Sequence, residues 1–350
     1  MSSIRLGMIG AGQIALFTSR EFRRHKGCDV LAVADPNAER AGELAAMVRA
    51  EQTYTEVDEL LARDDLDAVY VAVPNAFHEE VAVKALEAGK HVLLDKPFAL
   101  SSQAAENIIA AAEAADRTLM LGMNQRFERN VQAARALIAD GRLGDVYHLK
   151  AFWRRRAGIP RMGSWFTSKS VAGGGALLDI GVHVLDVALH LIDNFRPTSV
   201  SGATFTRFGN RGLGEGGWGR SEREFDEFDV DDFATALIRL EGGAVITLEA
   251  SWALHQPAGN DHDVIAYGED AGLAVYGSQL FEPGEGSEYR IVQNPSTPAI
   301  AYPHCSRAEH FINVLLGDEQ PIIDTAQALA VQKILDGIYE SATTGKEVQL

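Results

Sequence analysis

Four polar side chains capable of acid–base chemistry fall on one face of a predicted helix near the middle of the chain. The segment 173–190 reads GGGALLDIGVHVLDVALH, with polar positions Asp179, His183, Asp186 and His190 at steps of four, three and four residues. At about 3.6 residues per turn these positions form a single stripe. The remaining helical positions are apolar or glycine, whereas a surface helix normally carries Lys, Glu and Gln. We expect a mostly buried helix that directs an Asp–His pair into a cavity; the alternative is a core helix whose histidines bind carboxylates.

A glycine-rich turn near the N-terminus forms a second candidate site. The motif GAGQIA starts at Gly10, directly after a short apolar strand, and is the dinucleotide-binding fingerprint with Ala in its last position. Gly10 permits the tight turn, and Gly12 lets the backbone approach a pyrophosphate. Gln13 and Ile14 then open a helix whose N–H groups can face the phosphates.

The elements that follow support this interpretation, because strands and helices alternate as far as residue 121. The second strand ends at Asp35, the position at which an acidic residue holds the adenosine ribose hydroxyls, although a helix cap before Pro36 is an alternative role. Alternation predicts a doubly wound parallel sheet, in which ligands lie at the carboxyl ends of the strands. Three loops meet there: the glycine turn, Pro74–His78 and Asp95–Pro97.

Lys96 is the chemically distinctive residue of the third loop. It follows a fully apolar strand and precedes a proline that restricts the backbone, so its ammonium group is expected at the ligand edge of the sheet. A cation beside a nicotinamide ring and a substrate hydroxyl would stabilise developing alkoxide charge. A structural ion pair with Asp95 or another carboxylate is the alternative.

The remainder of the chain predicts a second domain of a different class. Strands dominate after residue 145, with a β-hairpin at Glu241-Gly242-Gly243, so we expect an α+β domain on a large, mostly antiparallel open sheet. The excursion 207–229 is rich in glycine and then acidic, and its aspartates, with Asp231 and Asp232, are expected to be solvated charge, because their spacing fits no calcium loop. The run Arg154–Arg156 is a solvated strand end or part of a pocket.

Composition excludes several classes of protein. A formal charge of −17 over 350 residues argues against nucleic acid or an anionic membrane as a partner. Cys28 and Cys305 are too few and too far apart for a disulfide framework or a zinc site, so no metal is expected. No membrane span is expected, and a first strand that begins by Ile4 leaves no room for a signal peptide. These features predict a soluble protein of the reducing cytoplasm.

Three ordered motifs together resemble the glucose–fructose oxidoreductase / inositol dehydrogenase / rhizopine-catabolism family. They are GAGQIA, PNAFHEEVAVKALEAGKHVLLDKP and GGGALLDIGVHVLD, and the ending HFINVLLGDEQPIIDTAQALAVQKILDGIYESATTGKEVQL is also similar. The resemblance spans essentially the whole chain. The usual Glu-Lys-Pro of the family is Asp95-Lys96-Pro97 here, so the lysine is kept beside a shorter acid.

The resemblance implies a Rossmann domain over residues 1–123 and a substrate-binding and oligomerisation domain over 124–350, whose terminal helix can pack back on the first domain. It also implies a nicotinamide cofactor, NAD rather than NADP because of Asp35, and a homodimer or homotetramer. Lys96, Asp179 and His183 match the catalytic positions. The cofactor-binding residues implied are Gly10, Gly12, Gln13, Ile14, Asp35, Pro74, Asn75, His78 and Lys96. The substrate-binding residues implied are Lys96, Trp165, Asp179 and His183.

The implied enzyme is an NAD-dependent dehydrogenase or reductase of a secondary hydroxyl on a sugar, anhydrosugar or inositol. His183 would act as the acid/base and Lys96 would steady the oxyanion, while Asp179 binds a neighbouring hydroxyl or tunes the imidazole. Three alternatives stay open: an NAD-dependent glycosidase that uses transient oxidation, a non-catalytic dinucleotide-binding sensor, and metal-dependent chemistry on the Asp/His stripe. Retention of all three catalytic positions disfavours the sensor, and the lack of further ligands disfavours the metal.

Overall fold

The computed structural model describes residues 3–219, 228–286 and 288–350, which form two compact units. The first unit holds the described residues up to Met123 together with Ser170–Ala172 and Ser306–Gln332, and the second holds Asn124–Lys169, Gly173–Cys305 and Lys333–Leu350. Residues 306–332 thus pack with the first unit, although a single division after residue 123 assigns them to the second. The buried ion pair of Arg307 with Asp95 is the physical reason. A division into a cofactor domain and a substrate domain at residue 123 stays a proposal.

The first unit is built on a six-stranded parallel sheet, as the alternating pattern predicted. Its strands are β1 (Ile4–Ile9), β2 (Cys28–Ala34), β3 (Gln52–Tyr54), β4 (Ala68–Val71), β5 (His91–Leu94) and β6 (Leu119–Leu121). Its helices are α1 (Gln13–Arg24), α2 (Ala38–Val48), α3 (Val57–Leu61), α4 (His78–Glu87) and α5 (Ser102–Ala115). The strand order β3-β2-β1-β4-β5-β6 is that of a doubly wound dinucleotide-binding fold. Strand β4, AVYV, is wholly buried, as expected for a parallel strand covered on both faces.

The second unit is built on a nine-stranded sheet. Its elements before the terminal helices are α6 (Arg129–Ala139), β7 (Val146–Arg155), α8 (Val182–Ile192), β8 (Pro197–Phe205), β9 (Phe233–Leu240), β10 (Val245–Ser251), β11 (Asn260–Gly268), β12 (Gly272–Ala274), β13 (Gln279–Pro283) and β14 (Tyr289–Gln293). A short helix α7 (Lys169–Ala172) has residues in both units. The strand order is β14-β13-β12-β11-β7-β10-β9-β8-β15, where β15 is Val348–Gln349. All neighbours are antiparallel except β7 and β10, so the mostly antiparallel α+β fold is confirmed.

Side chains alternate across this sheet, and the buried face carries the site. In β9, Ala234, Ala236 and Ile238 are buried, whereas the residues between them are half-buried. The predicted hairpin is present, because β9 and β10 pair in register on either side of residues 241–243. Helix α8 packs against β7, β10 and β11. The opposite face of the sheet has half-buried apolar residues such as Phe233.

Two helices near the C-terminus complete the structure. They are α9 (Arg307–Leu316), which packs on α1 and β1 within the first unit, and α10 (Thr325–Thr344), which has residues in both units. By length and composition alone, the stretch Lys169–Ile192 could cross a membrane, contrary to the expectation that no segment would qualify. However, 83% of its most apolar window is buried, as in the core helix of a folded protein.

Candidate active site

The glycine turn has the geometry that a dinucleotide requires. Gly10 has a φ of +92°, and a Cβ atom there would lie 2.4 Å from the carbonyl oxygen of Ala72. Only glycine therefore fits at this position. At Gly12 an added Cβ would meet nothing within 4 Å, so the space over this backbone is open on the side where a pyrophosphate can approach.

The first turn of α1 fits an anion. Gly12 precedes the helix, no side chain in the described part of the chain caps it, and its first turn holds no acidic residue. The N–H groups of Gln13 and Ile14 thus belong to a helix start with a favourable dipole for phosphate. The residues present fit a bound dinucleotide.

Asp35 lies next to this turn and is buried. Its Oδ2 accepts a hydrogen bond from the backbone N–H of Ala11 at 2.7 Å, and its Oδ1 accepts one from that of Asn37 at 2.9 Å. Asn37, not Asp35, caps α2, since its side chain accepts from the N–H groups of Glu39 and Arg40. The carboxylate of Asp35 therefore ties the end of β2 to the glycine turn.

The loop after β4 is fixed by buried polar side chains. Asn75 donates from Nδ2 to the carbonyl oxygen of Ala172 at 2.8 Å. His78 is 1% exposed, with Nδ1 at 2.9 Å from the oxygen of Pro97 and Nε2 at 3.0 Å from that of Val73. Burial lowers the pKa of His78. Its ring thus connects two of the three predicted loops, and its contact with a cofactor stays a prediction.

Lys96 is half-buried in a loop whose neighbours are buried. Its backbone N–H donates to Oδ1 of Asp95 at 2.8 Å, and both carboxylate oxygens of Asp95 accept from Arg307, at 2.9 and 3.0 Å. Tyr70 also donates to Asp95, at 2.6 Å. Burial opposes ionisation of Asp95, but Arg307 and Tyr70 outweigh it and hold the pKa of this carboxyl below its ordinary value. No local sequence pattern pointed to Arg307, which lies 212 residues from Asp95.

In the second unit, the predicted helix begins with a π-helical turn, Leu177–Gly181, before α8. Asp231 holds its start: its carboxylate accepts from the N–H groups of Gly175 and Leu177 at 2.7 and 2.9 Å, and from the hydroxyl of Tyr339 at 2.7 Å. A Cβ at Gly175 would lie 1.8 Å from the backbone oxygen of Asp231, so the glycine is required by close packing. Burial raises the pKa of Asp231.

The polar stripe divides into two pairs. From Gly174 to Leu191 every residue is buried except Asp179 and His183, which are half-buried. Trp252 donates from Nε1 to Oδ2 of Asp179 at 2.8 Å, and the His183 ring lies 5.9 Å from that of Trp153. The Asp–His pair is therefore the accessible chemistry of this helix.

The second pair of the stripe has the core role that was the alternative. Asp186 is 2% exposed and pairs with Arg126 through contacts of 2.6 and 2.9 Å. His190 is buried, and burial first, then the neighbouring arginines, lower its pKa to about 3. A neutral His190 and a paired Asp186 are structural.

Other predicted residues are distributed as follows. Trp165 is half-buried and stacks on Phe166, with ring centroids 3.8 Å apart, inside the second unit. The prediction that Asp231 and Asp232 are solvated charge is wrong, because both are buried and accept from backbone N–H groups. Residues 220–227 of the acidic excursion, including Asp226, lie outside the described residues.

Two domains of a known protein family match this chain. Residues 4–123 match the GFO/IDH/MocA oxidoreductase family with an NAD-binding Rossmann fold, and residues 131–274 match the C-terminal domain of the same family. The chain is 30% identical to D-glucoside 3-dehydrogenase of Escherichia coli over 100% of this chain and 98% of that protein. It is 32% identical to inositol 2-dehydrogenase of Corynebacterium glutamicum over 53% of each protein.

A solved structure of levoglucosan dehydrogenase, in complex with NADH and levoglucosan, has the same fold. It superposes with a TM-score of 0.82 at 24% sequence identity and covers 99% of each chain. The two family domains and the full-length relative leave one conclusion. The chain belongs to the GFO/IDH/MocA family and is an NAD-binding oxidoreductase of the sugar and polyol dehydrogenase type.

Proposed function

We propose that this enzyme transfers a hydride between a secondary hydroxyl carbon of a sugar, anhydrosugar or inositol and NAD. The observation that carries the proposal is the half-buried Asp179–His183 pair on a helical segment that is otherwise buried from Gly174 to Leu191. A half-buried imidazole is accessible to a ligand and can accept or donate a proton at a ring nitrogen. The relatives named for glucosides, levoglucosan and inositol support the substrate class.

In the proposed site, NAD is held by the glycine turn, the start of α1, Asp35 and the loops after β4 and β5. The residues assigned to it are Gly10, Gly12, Gln13, Ile14, Asp35, Pro74, Asn75, His78 and Lys96. When bound, NAD supplies a nicotinamide ring that accepts or returns the hydride. The protein's own groups are left to bind the substrate, place its hydroxyl and move the proton.

In the oxidation direction, His183 takes the hydroxyl proton at a ring nitrogen while Lys96 stabilises the negative charge that develops on the oxygen. Reduction reverses both roles. Asp179 binds a neighbouring hydroxyl or orients the imidazole, and Trp165 lines the substrate side. The fixed loop around Asp95 and Arg307 favours this use of Lys96, because a positioned cation stabilises charge better than one that must reorganise.

The proposal is tested with a panel of sugars, anhydrosugars and inositols in the presence of NAD, read as NADH absorbance. On an accepted substrate, Lys96→Met and His183→Asn should each lose roughly two to four powers of ten in turnover. His183→Asn, which changes no residue assigned to NAD, should also keep the NAD affinity of the wild type. Lys84→Met, at an exposed ion pair, and His148→Asn, on the opposite sheet face from Trp153, are matched controls that should keep turnover.

Thermal melts of all four variants distinguish catalysis from stability. A His183→Asn enzyme that melts with the wild type and keeps its turnover would end the mechanism proposed for His183. Free sugar formed from a glycoside without net NADH would instead favour the glycosidase alternative. A protein that binds NAD but turns over no member of the panel would favour the sensor.

A further inference from the structure

Two of the three consecutive arginines at the end of β7 bind acceptors within the protein through their guanidinium groups. Arg154 forms ion pairs with Glu249 at 3.0 Å and Asp261 at 2.6 Å. Arg156 donates to backbone carbonyl oxygens of the 256–257 turn. The guanidinium groups of Arg154 and Arg156 therefore have acceptors supplied by the protein itself.

Arg155, between them, has a different environment. It is half-buried, and within residues 3–219, 228–286 and 288–350 its side chain makes no hydrogen bond or ion pair. Its Cζ atom instead lies 5.0 Å from the ring centroid of Trp153. A guanidinium group with five N–H donors, partly removed from water and without an acceptor, is unusual, because buried cations are normally paired.

The position of Arg155 places it in the candidate site of the second unit. Side chains alternate along β7, so Arg155 and Trp153 share the sheet face against which His183 lies, and Arg154 points to the other face. Asp179 is close enough for its charge to act on Arg155, and its carboxylate also accepts a hydrogen bond from Trp252. The unpaired guanidinium is thus a neighbour of the Asp–His pair.

We propose that Arg155 binds an anionic group of the substrate, so that this enzyme prefers sugars that carry a carboxylate or a phosphate. The inference rests on the proposed function and deepens it by naming a substrate class. The planar fork of a guanidinium matches two oxygens of such a group, and the charge of the ligand offsets the desolvation of the cation. A neutral hydroxyl could accept a hydrogen bond from the guanidinium group but would bring no opposite charge to it. Burial lowers the pKa of Arg155, in accord with a desolvated cation.

The test compares binding of matched sugars to the NADH-loaded enzyme by calorimetry. The pairs are glucuronate with glucose, galacturonate with galactose, and glucose 6-phosphate with glucose. In at least one pair the charged member should bind tenfold or more tightly, and Arg155→Met should abolish this preference. Arg155→Lys, which keeps the charge without the fork, should restore part of it, and Arg154→Met should retain all of it. The two uronate pairs test recognition of a carboxylate, and the glucose 6-phosphate pair tests recognition of a phosphate.

Three outcomes would each overturn the inference. They are equal binding of charged and neutral sugars, a preference for charged sugars that persists in Arg155→Met, and no binding by any of the five sugars. These failures are distinguishable from failure of the proposed function. NADH formation from neutral sugars without any preference would leave the dehydrogenase proposal standing and remove the anion site. An Arg155-dependent preference without NADH formation would do the reverse.

Discussion

Replacement of Arg307 by methionine should destabilise the protein strongly and disturb the loop of Lys96. Arg307 and Asp95 each have side chains only 5% exposed and form two contacts of 2.9 and 3.0 Å. Arg307 also donates to the carbonyl oxygen of Gly122 at 2.7 Å. Methionine fills much of the same volume but supplies no donor, so the charge of Asp95 would remain buried without its cation.

Removal of one partner of a buried ion pair lowers the free energy of unfolding by about 3–5 kcal/mol. This full range applies here, because both side chains are buried and solvent does not screen the pair. At about 2–4 °C per kcal/mol for a unit of 150–250 residues, the melting temperature should fall by roughly 6–20 °C. Because the wild-type pKa of Asp95 is depressed, its stabilising contribution is present above the ordinary carboxyl pKa and is lost as the pH falls through the folded-state value. Removal of Arg307 raises the pKa of Asp95, so on acidification Asp95 takes up its proton at a higher pH in the variant than in the wild type. The difference in the free energy of unfolding between the two proteins should therefore become smaller as the pH falls.

Denaturant unfolding and thermal melts from pH 8 to pH 5 measure these effects. The control is the double variant Asp95→Asn with Arg307→Met, which removes the unpaired charge and should cost less than the sum of the two single variants. Arg307→Lys should recover part of the stability. A loss below about 1 kcal/mol in Arg307→Met, or strict additivity in the double variant, would show that the pair does not hold the loop as argued.

Three further predictions concern other parts of the molecule. NAD should be preferred over NADP, because Asp35 would repel a 2′-phosphate. The ratio of kcat/KM with NAD to kcat/KM with NADP should therefore be smaller in Asp35→Ser than in the wild type. Equal use of the two cofactors by the wild type would contradict this prediction. Light scattering should give a mass that is a multiple of the 37.9 kDa of one chain. The measured mass should be smaller for Phe233→Lys, which places a charge on the sheet face opposite α8. A wild-type monomer at micromolar concentration would refute the homodimer or homotetramer. Because the pKa of His190 is lowered to about 3, its contribution to stability should be complete above about pH 6.5 and should be lost as the pH falls from there to 3. The melting temperature of His190→Gln should therefore fall less on acidification than that of the wild type. An unchanged dependence of the melting temperature on pH would count against a buried neutral imidazole.

Local patterns in the sequence were sufficient to predict the fold and to indicate which helix carries a stripe of Asp and His. The alternation of apolar strands and helices predicted the parallel sheet, and the glycine turn predicted the backbone at Gly10, because both depend on residues close together in the chain. The stripe identified Asp179 and His183 but could not separate them from Asp186 and His190. Helical periodicity reports which residues share a face, and the partner of each, such as Arg126, comes from another element.

The partners of the catalytic candidates were not predictable for the same reason. Arg307 reaches Asp95 across 212 residues, and Asp231 reaches the start of the π-helical turn across 54 and 56. An aspartate in a polar stretch is normally solvated, so nothing local indicated that Asp231 would be buried. The strands β3, β12, β13, β14 and β15 were not predicted either. Three of them, β3, β12 and β15, have only two or three residues, which carry too little pattern to distinguish a strand from a turn.

One design feature recurs in both units and follows from how half-exposed groups can be held. In the proposed function Lys96 and His183 each contact a ligand, and both side chains are half-buried, so burial alone does not hold them in place. A buried carboxylate fixes the backbone beside each instead: Asp95 binds the N–H of Lys96, and Asp231 binds the N–H groups at the start of the turn that carries Asp179. Such carboxylates are stable only when neighbours supply enough donors, which Arg307 and Tyr339 do. Substitution of either donor should therefore alter the geometry of the nearby catalytic candidate without touching the ligand.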